Sequence, residues 1–298
     1  MPDELRDGFR AERGAIDAAL AAMCDRELAD VDARVRDAIR YGLLGEGKRL
    51  RGLLVLAAYE AAGGRHDAAP LAAAVEVVHA YSLIHDDLPC MDDDDLRRGR
   101  PTVHRVFGVP VATAAGVAMV PLAAGTAYRA ALAVHASLER AGTIVRELML
   151  ASSAGGMVGG QWLDLQAEGR RIPLEELERV HRAKTGLLIV ASTRIGALAA
   201  GCSGDELDAF TRYGDALGLA FQIADDVLDV TATSDQLGKT AGRDAALGKS
   251  TYPLLLGVEG ARTRARRLAT EACDALRPLG RLTPQLERLA VHVVERQS

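Results

Sequence analysis

A chain of 298 residues, of which 49% are hydrophobic and only 4% aromatic, is long enough to bury a substantial core. Its formal net charge of −5 argues against nucleic-acid binding, which needs a basic face. The four cysteines, Cys24, Cys90, Cys202 and Cys273, form no CxxC pair, which argues against a zinc site or a disulfide framework and fits a reducing compartment.

The apolar residues are mostly Ala, Leu and Val, in long stretches broken by Gly, Pro or short polar clusters, and this pattern predicts an all-α protein. Gly63-Gly64 marks a helix end, and Pro173 before two glutamates marks a helix start. Residues 231–250 show no clean period and are predicted to form a long loop. No repeat or linker divides the chain, so we expect one domain over residues 1–298, a helical bundle with a cavity. The predicted helices are 10–28, 30–41, 49–62, 69–87, 110–137, 140–155, 173–200, 204–230, 252–277 and 282–297.

An uncharged stretch from Val106 to Tyr128 is long enough to cross a bilayer. Pro110, Pro121 and several glycines make it a poor lipid-facing helix, and no other segment resembles it. The N-terminus lacks the basic-then-apolar layout of a signal peptide. We therefore expect a buried central helix, no membrane span and a cytoplasmic protein.

Residues 84–99 (IHDDLPCMDDDDLRRG) contain six carboxylates followed by two arginines. Such a cluster repels itself unless cations neutralise it, and carboxylates are the ligands that Mg²⁺ prefers. Pro89 disfavours α geometry at Leu88, so the chain can turn and bring Asp92 back towards Asp86 and Asp87. The acidic run therefore predicts a metal site.

The alternative is a solvated acidic helix end, which is what acidic runs usually are. Here the run follows an apolar helix in which His79, Ser82 and Asp86 share one face. An acid at the end of that face points into the bundle, where an unpaired charge is costly. A binding site is the better interpretation.

A second acidic motif lies in residues 221–229 (FQIADDVLD). Asp225 and Asp229 are one helical turn apart, and Gln222, Asp226 and Asp229 share a stripe. Two such motifs in one helical chain predict the facing walls of a site for several metal ions.

Basic residues suggest what the metals would bind. Carboxylates, magnesium and Lys or Arg side chains together are typical of diphosphate sites, although any one of these cations alone could be an ordinary surface residue. An apolar bundle interior beside them indicates a substrate with an anionic head and a hydrocarbon tail. The candidate residues are GKRLR (47–51), Arg97-Arg98, Lys184-Thr185, Lys239 and Lys249.

These segments resemble the trans-prenyl diphosphate synthases of the bacterial farnesyl/geranylgeranyl type. The resemblance implies long, mostly antiparallel helices around a central cavity, a homodimer, and condensation of isopentenyl diphosphate with an allylic diphosphate through an allylic cation. The matching segments occur in family order: GKRLR (47–51), HAYSLIHDDLPCMDDDDLRRG (79–99), GGQWLDL (159–165), HRAKTG (181–186), GLAFQIADDVLD (218–229), LGKTAG (237–242) and GKSTYP (248–253).

The resemblance also implies roles for single residues. Three magnesium ions on the allylic diphosphate would be held by Asp86, Asp87 and Asp92, with Asp225, Asp226 and Asp229 opposite. That diphosphate would also contact Arg97, Lys184 and Lys239. The isopentenyl diphosphate pocket would contain Lys48, Arg49, His79 and Arg98. Oxygens of Thr185 and Gln222 would face the developing cation.

Product length is predicted from Tyr81 and Ser82, which lie five and four residues before Asp86, roughly 6–7.5 Å deeper along the helix. In this family a bulky residue there limits the growing tail, so Tyr81 favours farnesyl diphosphate over geranylgeranyl diphosphate. The alternative is that Tyr81 is an ordinary packed core residue.

Two positions depart from the family pattern. Val117 stands in GVAM where the family commonly has an Asp, and Gly52 stands where Pro usually follows GKRLR. Neither change removes a proposed ligand, but Val117 keeps open a non-catalytic partner subunit of a prenyl synthase.

Two other enzyme classes remain as alternatives. A terpene cyclase would share the helical bundle but would not need cations for a second diphosphate. An HD-type phosphohydrolase, suggested by His85-Asp86, would need further ligands, for which His79 and His104 are weak candidates.

Overall fold

The computed structural model describes residues 8–232 and 248–295, which are helical along most of their length, so the all-α prediction is confirmed. The helices are α1 (Arg10–Glu27), α2 (Ala33–Leu43), α3 (Leu50–Ala61), α4 (Ala69–Asp86), α5 (Val103–Phe107), α6 (Val109–Ala133), α7 (Leu138–Ser152), α8 (Met157–Ala167), α9 (Leu174–His181), α10 (Leu187–Ala199), α11 (Gly204–Thr231), α12 (Tyr252–Leu276) and α13 (Pro284–Glu295). A π-helical turn spans Arg182–Gly186, and a short antiparallel hairpin joins β1 (Leu96–Arg97) to β2 (Arg100–Pro101).

Two predictions of secondary structure were wrong. The single helix predicted over 173–200 is divided into α9, the π-helical turn and α10. Helix α8 was not predicted, and Gly159 and Gly160 lower the intrinsic helix propensity of its sequence. The loop predicted over 231–250 lies mostly outside the described residues, although 248–251 has no helix.

Helix α4 forms the centre of the bundle, between α3 and α6. Its small and branched residues from Leu71 to Val75 are fully buried, which lets neighbouring helices approach closely. Helix α11 packs mainly against α10 and α12. Because α4 ends at Asp86 and α11 carries Asp225–Asp229 near its own end, both acidic motifs are placed at ends of core helices.

Helix α6 satisfies the length and composition criteria for a membrane-crossing helix, but only 33% of its most apolar window is buried. The prediction of a buried central helix is therefore right for one face only. That face carries Ala112 and Met119 towards the bundle, whereas Val117 on the other face is 60% exposed.

The contact of α10 with α3 depends on Gly196. A Cβ atom at this position would lie 2.3 Å from the carbonyl oxygen of Val55. We expect Gly196→Ala to lower the free energy of unfolding by about 3 kcal/mol, because two helix backbones would have to separate. Urea denaturation measures this change.

The matched control is Gly142→Ala on α7, where a Cβ atom would meet nothing within 4 Å. There the greater helix propensity of Ala should raise stability by about 0.5–1 kcal/mol. Equal effects at both positions would contradict the close-packing explanation.

Candidate active site

The first acidic wall of the site is formed by the end of α4 and the turn after it. The backbone N–H of Asp92 donates to the carbonyl oxygen of Asp86 at 2.8 Å, so the chain folds back as its Pro89 predicted. Asp86 and Asp92 both line the central cavity. Asp87 is only 2% exposed and does not line it.

Arg97 and Arg98 of the β1–β2 hairpin have different partners. Arg97 donates from Nε to Asp87 Oδ1 at 2.7 Å. Arg98 has a φ of 53°, and its Nη1 donates to the carbonyl oxygen of Glu46 at 2.7 Å. The hairpin therefore joins the acidic wall to the loop that contains GKRLR.

The second acidic wall is the last part of α11. Asp225, Asp226 and Asp229 all line the same cavity as Asp86 and Asp92. One oxygen of Asp226, Oδ2, accepts hydrogen bonds from the backbone N–H of Tyr252 at 3.0 Å and from His181 Nε2 at 3.3 Å. Asp226 thus ties α11 to α9 and to the start of α12.

The cavity between the walls has a volume of about 420 Å³. Its lining combines the acidic walls and basic side chains with an apolar part that includes Met91, Met157, Val158 and Phe221. Tyr81 and Ser82 also line it, and the Tyr81 hydroxyl donates to the carbonyl oxygen of Ser152 at 3.2 Å. The structure therefore brings the predicted chain-length residues into the same cavity as both acidic walls.

Lys184 and Lys249 bring positive charge to this cavity. Each ammonium donates to Asp164 Oδ2, at 2.7 Å from Lys184 and 2.9 Å from Lys249. The π-helical turn that carries Lys184 lies directly against α8, where a Cβ atom on Gly160 would be 2.1 Å from the backbone nitrogen of Lys184. Such π turns occur often at functional sites.

The same turn places Thr185 next to α11. The Thr185 hydroxyl donates to Gln222 Oε1 at 2.8 Å, and both residues line the cavity. The predicted pair of oxygen-bearing side chains is thus one hydrogen-bonded unit beside the second acidic wall.

A basic cluster lies on the α3 side of the site. Arg51 and His79 line the cavity. Burial first, and then the charges of Arg51 and Arg98, hold the pKa of His79 well below its usual range, so His79 is neutral among arginines.

Arg49 is placed differently from the prediction. Its side chain does not line the cavity but is buried against Asp17, with Nε–Oδ1 at 2.8 Å, and against the carbonyl oxygens of Leu43 and Gly45. Arg51, two residues later, occupies the position expected for it. Lys48 is half-buried in the loop before α3, outside the cavity lining, and Lys239 lies outside the described residues.

Gly52, one of the departures from the family pattern, has a specific contact. Its backbone N–H donates to the buried Glu76 Oε1 at 2.8 Å, a bond that proline at this position could not make. Glu76 also lies 3.9 Å from Arg49, so this contact secures the start of α3 beside the basic cluster.

The carboxylates fit magnesium by their chemistry and their electrostatics. Burial, followed by the charges of Asp92 and Asp87, raises the pKa of Asp86 to about 6 although Lys184 and Arg97 oppose the shift, and a bound cation would relieve that repulsion. Within residues 8–232 and 248–295, no three acidic, His or Cys side chains converge on one point. Mg²⁺ takes one or two carboxylates from a protein and completes its shell with water and substrate phosphate, so carboxylates on two walls of one cavity fit its chemistry.

Sequence reasoning gave no individual role to four residues of the site. Arg51 lies within GKRLR, two residues after Arg49. Side chains two residues apart point in different directions, so this spacing could have suggested that only one of the two arginines faces the cavity. Gln161 and Asp164 lie on the missed helix α8, within GGQWLDL, and His181 begins HRAKTG. Gln161 is 4% exposed, and its Nε2 lies 3.4 Å from Asp92 Oδ1.

Comparison with known proteins agrees with this geometry. The polyprenyl synthetase family model matches residues 32–276. Farnesyl diphosphate synthase of Escherichia coli strain K12 is 48% identical over 268 residues, which cover 88% of this chain and 89% of that protein. The chloroplastic geranylgeranyl pyrophosphate synthase 7 of Arabidopsis thaliana is 44% identical over 276 residues, covering 89% and 77% of the two chains.

A solved structure gives the same fold. The geranyltransferase of Helicobacter pylori, complexed with magnesium and isoprenyl diphosphate, superposes with a TM-score of 0.80 at 29% identity and covers 98% of this chain and 97% of its own. Family match, sequence identity over most of both chains and a shared fold lead to one conclusion: the chain belongs to the polyprenyl synthetase family and is a trans-prenyl diphosphate synthase.

Proposed function

We propose that this enzyme condenses isopentenyl diphosphate with dimethylallyl or geranyl diphosphate, depends on magnesium, and makes mainly farnesyl diphosphate. The observation that carries the proposal is the single cavity shared by two acidic walls, two lysines and an apolar lining that includes Tyr81. The acidic walls and lysines suit a metal-bound diphosphate, and the apolar lining suits an isoprenoid tail.

Asp86 and Asp92 on one wall, and Asp225 and Asp229 on the other, are the residues that would hold up to three magnesium ions. When bound, magnesium supplies positive charge that stabilises the departing diphosphate. Lys184 and Lys249 add fixed positive charge on the same leaving group.

Asp87 and Asp226 were predicted as ligands in the same motifs. Asp87 is bonded to Arg97, and Asp226 is bonded to His181 and Tyr252. We propose that these two carboxylates mainly position the arginine and the α11–α12 contact, while their neighbours face the metals.

Heterolysis of the allylic C–O bond gives an allylic cation and free diphosphate. The hydroxyl oxygen of Thr185 and the amide of Gln222 lie beside the second acidic wall, where they would stabilise that cation. The isopentenyl double bond then attacks it, forming the new C–C bond, and a proton is lost to restore a double bond. The departing diphosphate, released beside the cation, takes this proton, while Lys184 and Lys249 stay protonated as binding charges.

Arg51, His79 and Arg98 lie together on the α3 side and suit the second diphosphate, that of isopentenyl diphosphate. A cyclase has no need for such a second cationic pocket, so the basic cluster favours the synthase over that alternative. Neutral His79 can donate one hydrogen bond while the arginines supply the charge.

A homodimer is proposed from exposed apolar residues on adjacent helices. Helix α7 packs against α6 and α10, and α8 follows it in the chain. A second copy that covers this surface would bury the exposed Val117, so that this residue implies neither a membrane contact nor a loss of catalysis. We therefore propose a catalytic dimer in the cytoplasm. The residues are Val117, Leu150, Trp162 and Leu187, each at least 36% exposed.

Condensation activity tests the metal assignment. With magnesium, isopentenyl diphosphate and geranyl diphosphate, Asp86→Asn should lower kcat at least about 100-fold, because a neutral amide is a poor magnesium ligand. Product is measured as farnesol after dephosphorylation.

The matched control for that variant is Asp95→Asn. Asp95 belongs to the same acidic run but is exposed and paired with Arg105, outside the cavity. Its activity should stay within about twofold of wild type, since surface pairs contribute little. An equal loss in both variants would contradict the assignment, and a folded wild-type protein that makes no product would contradict the synthase itself.

Product length tests the role of Tyr81. Because its ring lines the cavity and its hydroxyl is held by Ser152, Tyr81→Ala should open space and shift the main product from farnesyl to geranylgeranyl diphosphate. Mass analysis of the dephosphorylated products measures the shift.

Tyr81→Phe keeps the ring and should keep farnesol as the main product. If wild type makes mainly geranylgeraniol, the farnesyl assignment fails while the synthase assignment stands. If Tyr81→Ala leaves product length unchanged, other walls of the cavity limit the tail.

A further inference from the structure

Two lysines from distant parts of the chain share a single carboxylate oxygen. Lys184 lies in the π-helical turn and Lys249 lies just before α12, yet both ammonium groups donate to Asp164 Oδ2, at 2.7 Å and 2.9 Å. The side chains of the three residues are 27%, 12% and 15% exposed for Lys184, Lys249 and Asp164 respectively. Two ammonium groups on one oxygen atom must lie close together, and they would repel each other without it.

Lys184 has other partners within its electrostatic reach. Besides Asp164, the charges of Asp86 and Asp92 help to raise the pKa of this lysine, and both of these acids line the same cavity. A lysine side chain is long and flexible, so without Asp164 its ammonium could turn to these acids. It would then cover the oxygens that the proposed function assigns to magnesium.

Resting on that proposed function, we propose that Asp164 is a positioning residue that holds Lys184 and Lys249 side by side as a receptor for one diphosphate and keeps Lys184 away from Asp86 and Asp92.

The geometry allows the lysines to bind substrate while Asp164 holds them. An ammonium group has three donors, and each lysine uses one of them on Asp164 Oδ2. The remaining donors suit the several acceptor oxygens of a diphosphate, which two adjacent cations bind better than two separated ones. Asp164 therefore does not compete with the substrate for the lysines but orders them before it arrives.

The chain offers a matched control in Glu168. This carboxylate lies four residues after Asp164, directly after the last residue of α8, and pairs with Lys249 rather than with Lys184, at 3.3 Å, with 32% of its side chain exposed. Glu168→Gln removes the same charge as Asp164→Asn from the same part of the chain, but it leaves the shared oxygen of Asp164 in place.

The test measures binding of inorganic diphosphate by calorimetry in saturating magnesium, and then the magnesium concentration that half-saturates binding at fixed diphosphate. Asp164→Asn should weaken diphosphate binding about tenfold and raise the half-saturating magnesium concentration by a similar factor. Asp164→Glu, which keeps the charge but moves it by one methylene, should raise both values about two- to fivefold. Glu168→Gln should stay within about twofold of wild type.

Unchanged diphosphate and magnesium binding in folded Asp164→Asn would overturn the inference, as would equal losses in Asp164→Asn and Glu168→Gln. If circular dichroism shows that Asp164→Asn does not fold, Asp164→Glu decides, and binding equal to wild type then overturns it. A wild-type protein that binds no diphosphate in magnesium would instead contradict the proposed function, so the two failures are distinguishable.

Discussion

The repulsion between like charges governs the whole site. The carboxylates of α4, its following turn and α11 share one cavity, and the proposed substrates bring further negative charge into it. Burial, together with the charges of Asp92 and Asp87, raises the pKa of Asp86 to about 6 and so adds to the cost of ionising this carboxyl group. A cavity of this kind needs cations, and both the lysines and the proposed magnesium ions meet that need.

The fold holds the opposing charges in place through contacts that lie outside the cavity. Gly160 lets α8 touch the π-helical turn, which fixes Lys184, and Asp164 on the same helix fixes its ammonium group. On the other side, Tyr252 is fully buried, donates its hydroxyl to Glu178 at 2.8 Å and stacks on His181. This network secures Asp226 and therefore the angle at which α11 presents its acids.

Much of this arrangement could be predicted from the sequence because it depends on local spacing. Helical periodicity placed the two acidic motifs at the ends of apolar helices, and Pro89 predicted the turn that returns Asp92 to Asp86. The family resemblance named Thr185 and Gln222 together, although the hydrogen bond between them is seen only in the structure. These features need only a few neighbouring residues to be interpreted correctly.

The remaining features depend on contacts between distant segments. Glycine has a low helix propensity, so the sequence around Gly160 does not predict α8. The reason for glycine there is its close contact with the backbone of Lys184, a residue 24 positions later. Arg49 and Arg51 carry the same charge, so the sequence does not show which one lines the cavity. The contact with Asp17 shows that Arg49 points away from it. The sharing of Asp164 by two lysines joins residues 85 positions apart, which no local pattern reveals.

The most direct test of the electrostatic requirement is a thermal unfolding series on the wild-type enzyme with magnesium alone, inorganic diphosphate alone, and both together. We expect little change in Tm with either one alone and a rise of several degrees with both, because ligand and metal each neutralise the charge that excludes the other. An equal rise with diphosphate alone would mean that the lysines and arginines suffice without a metal. That result would contradict the central role given to the two acidic walls.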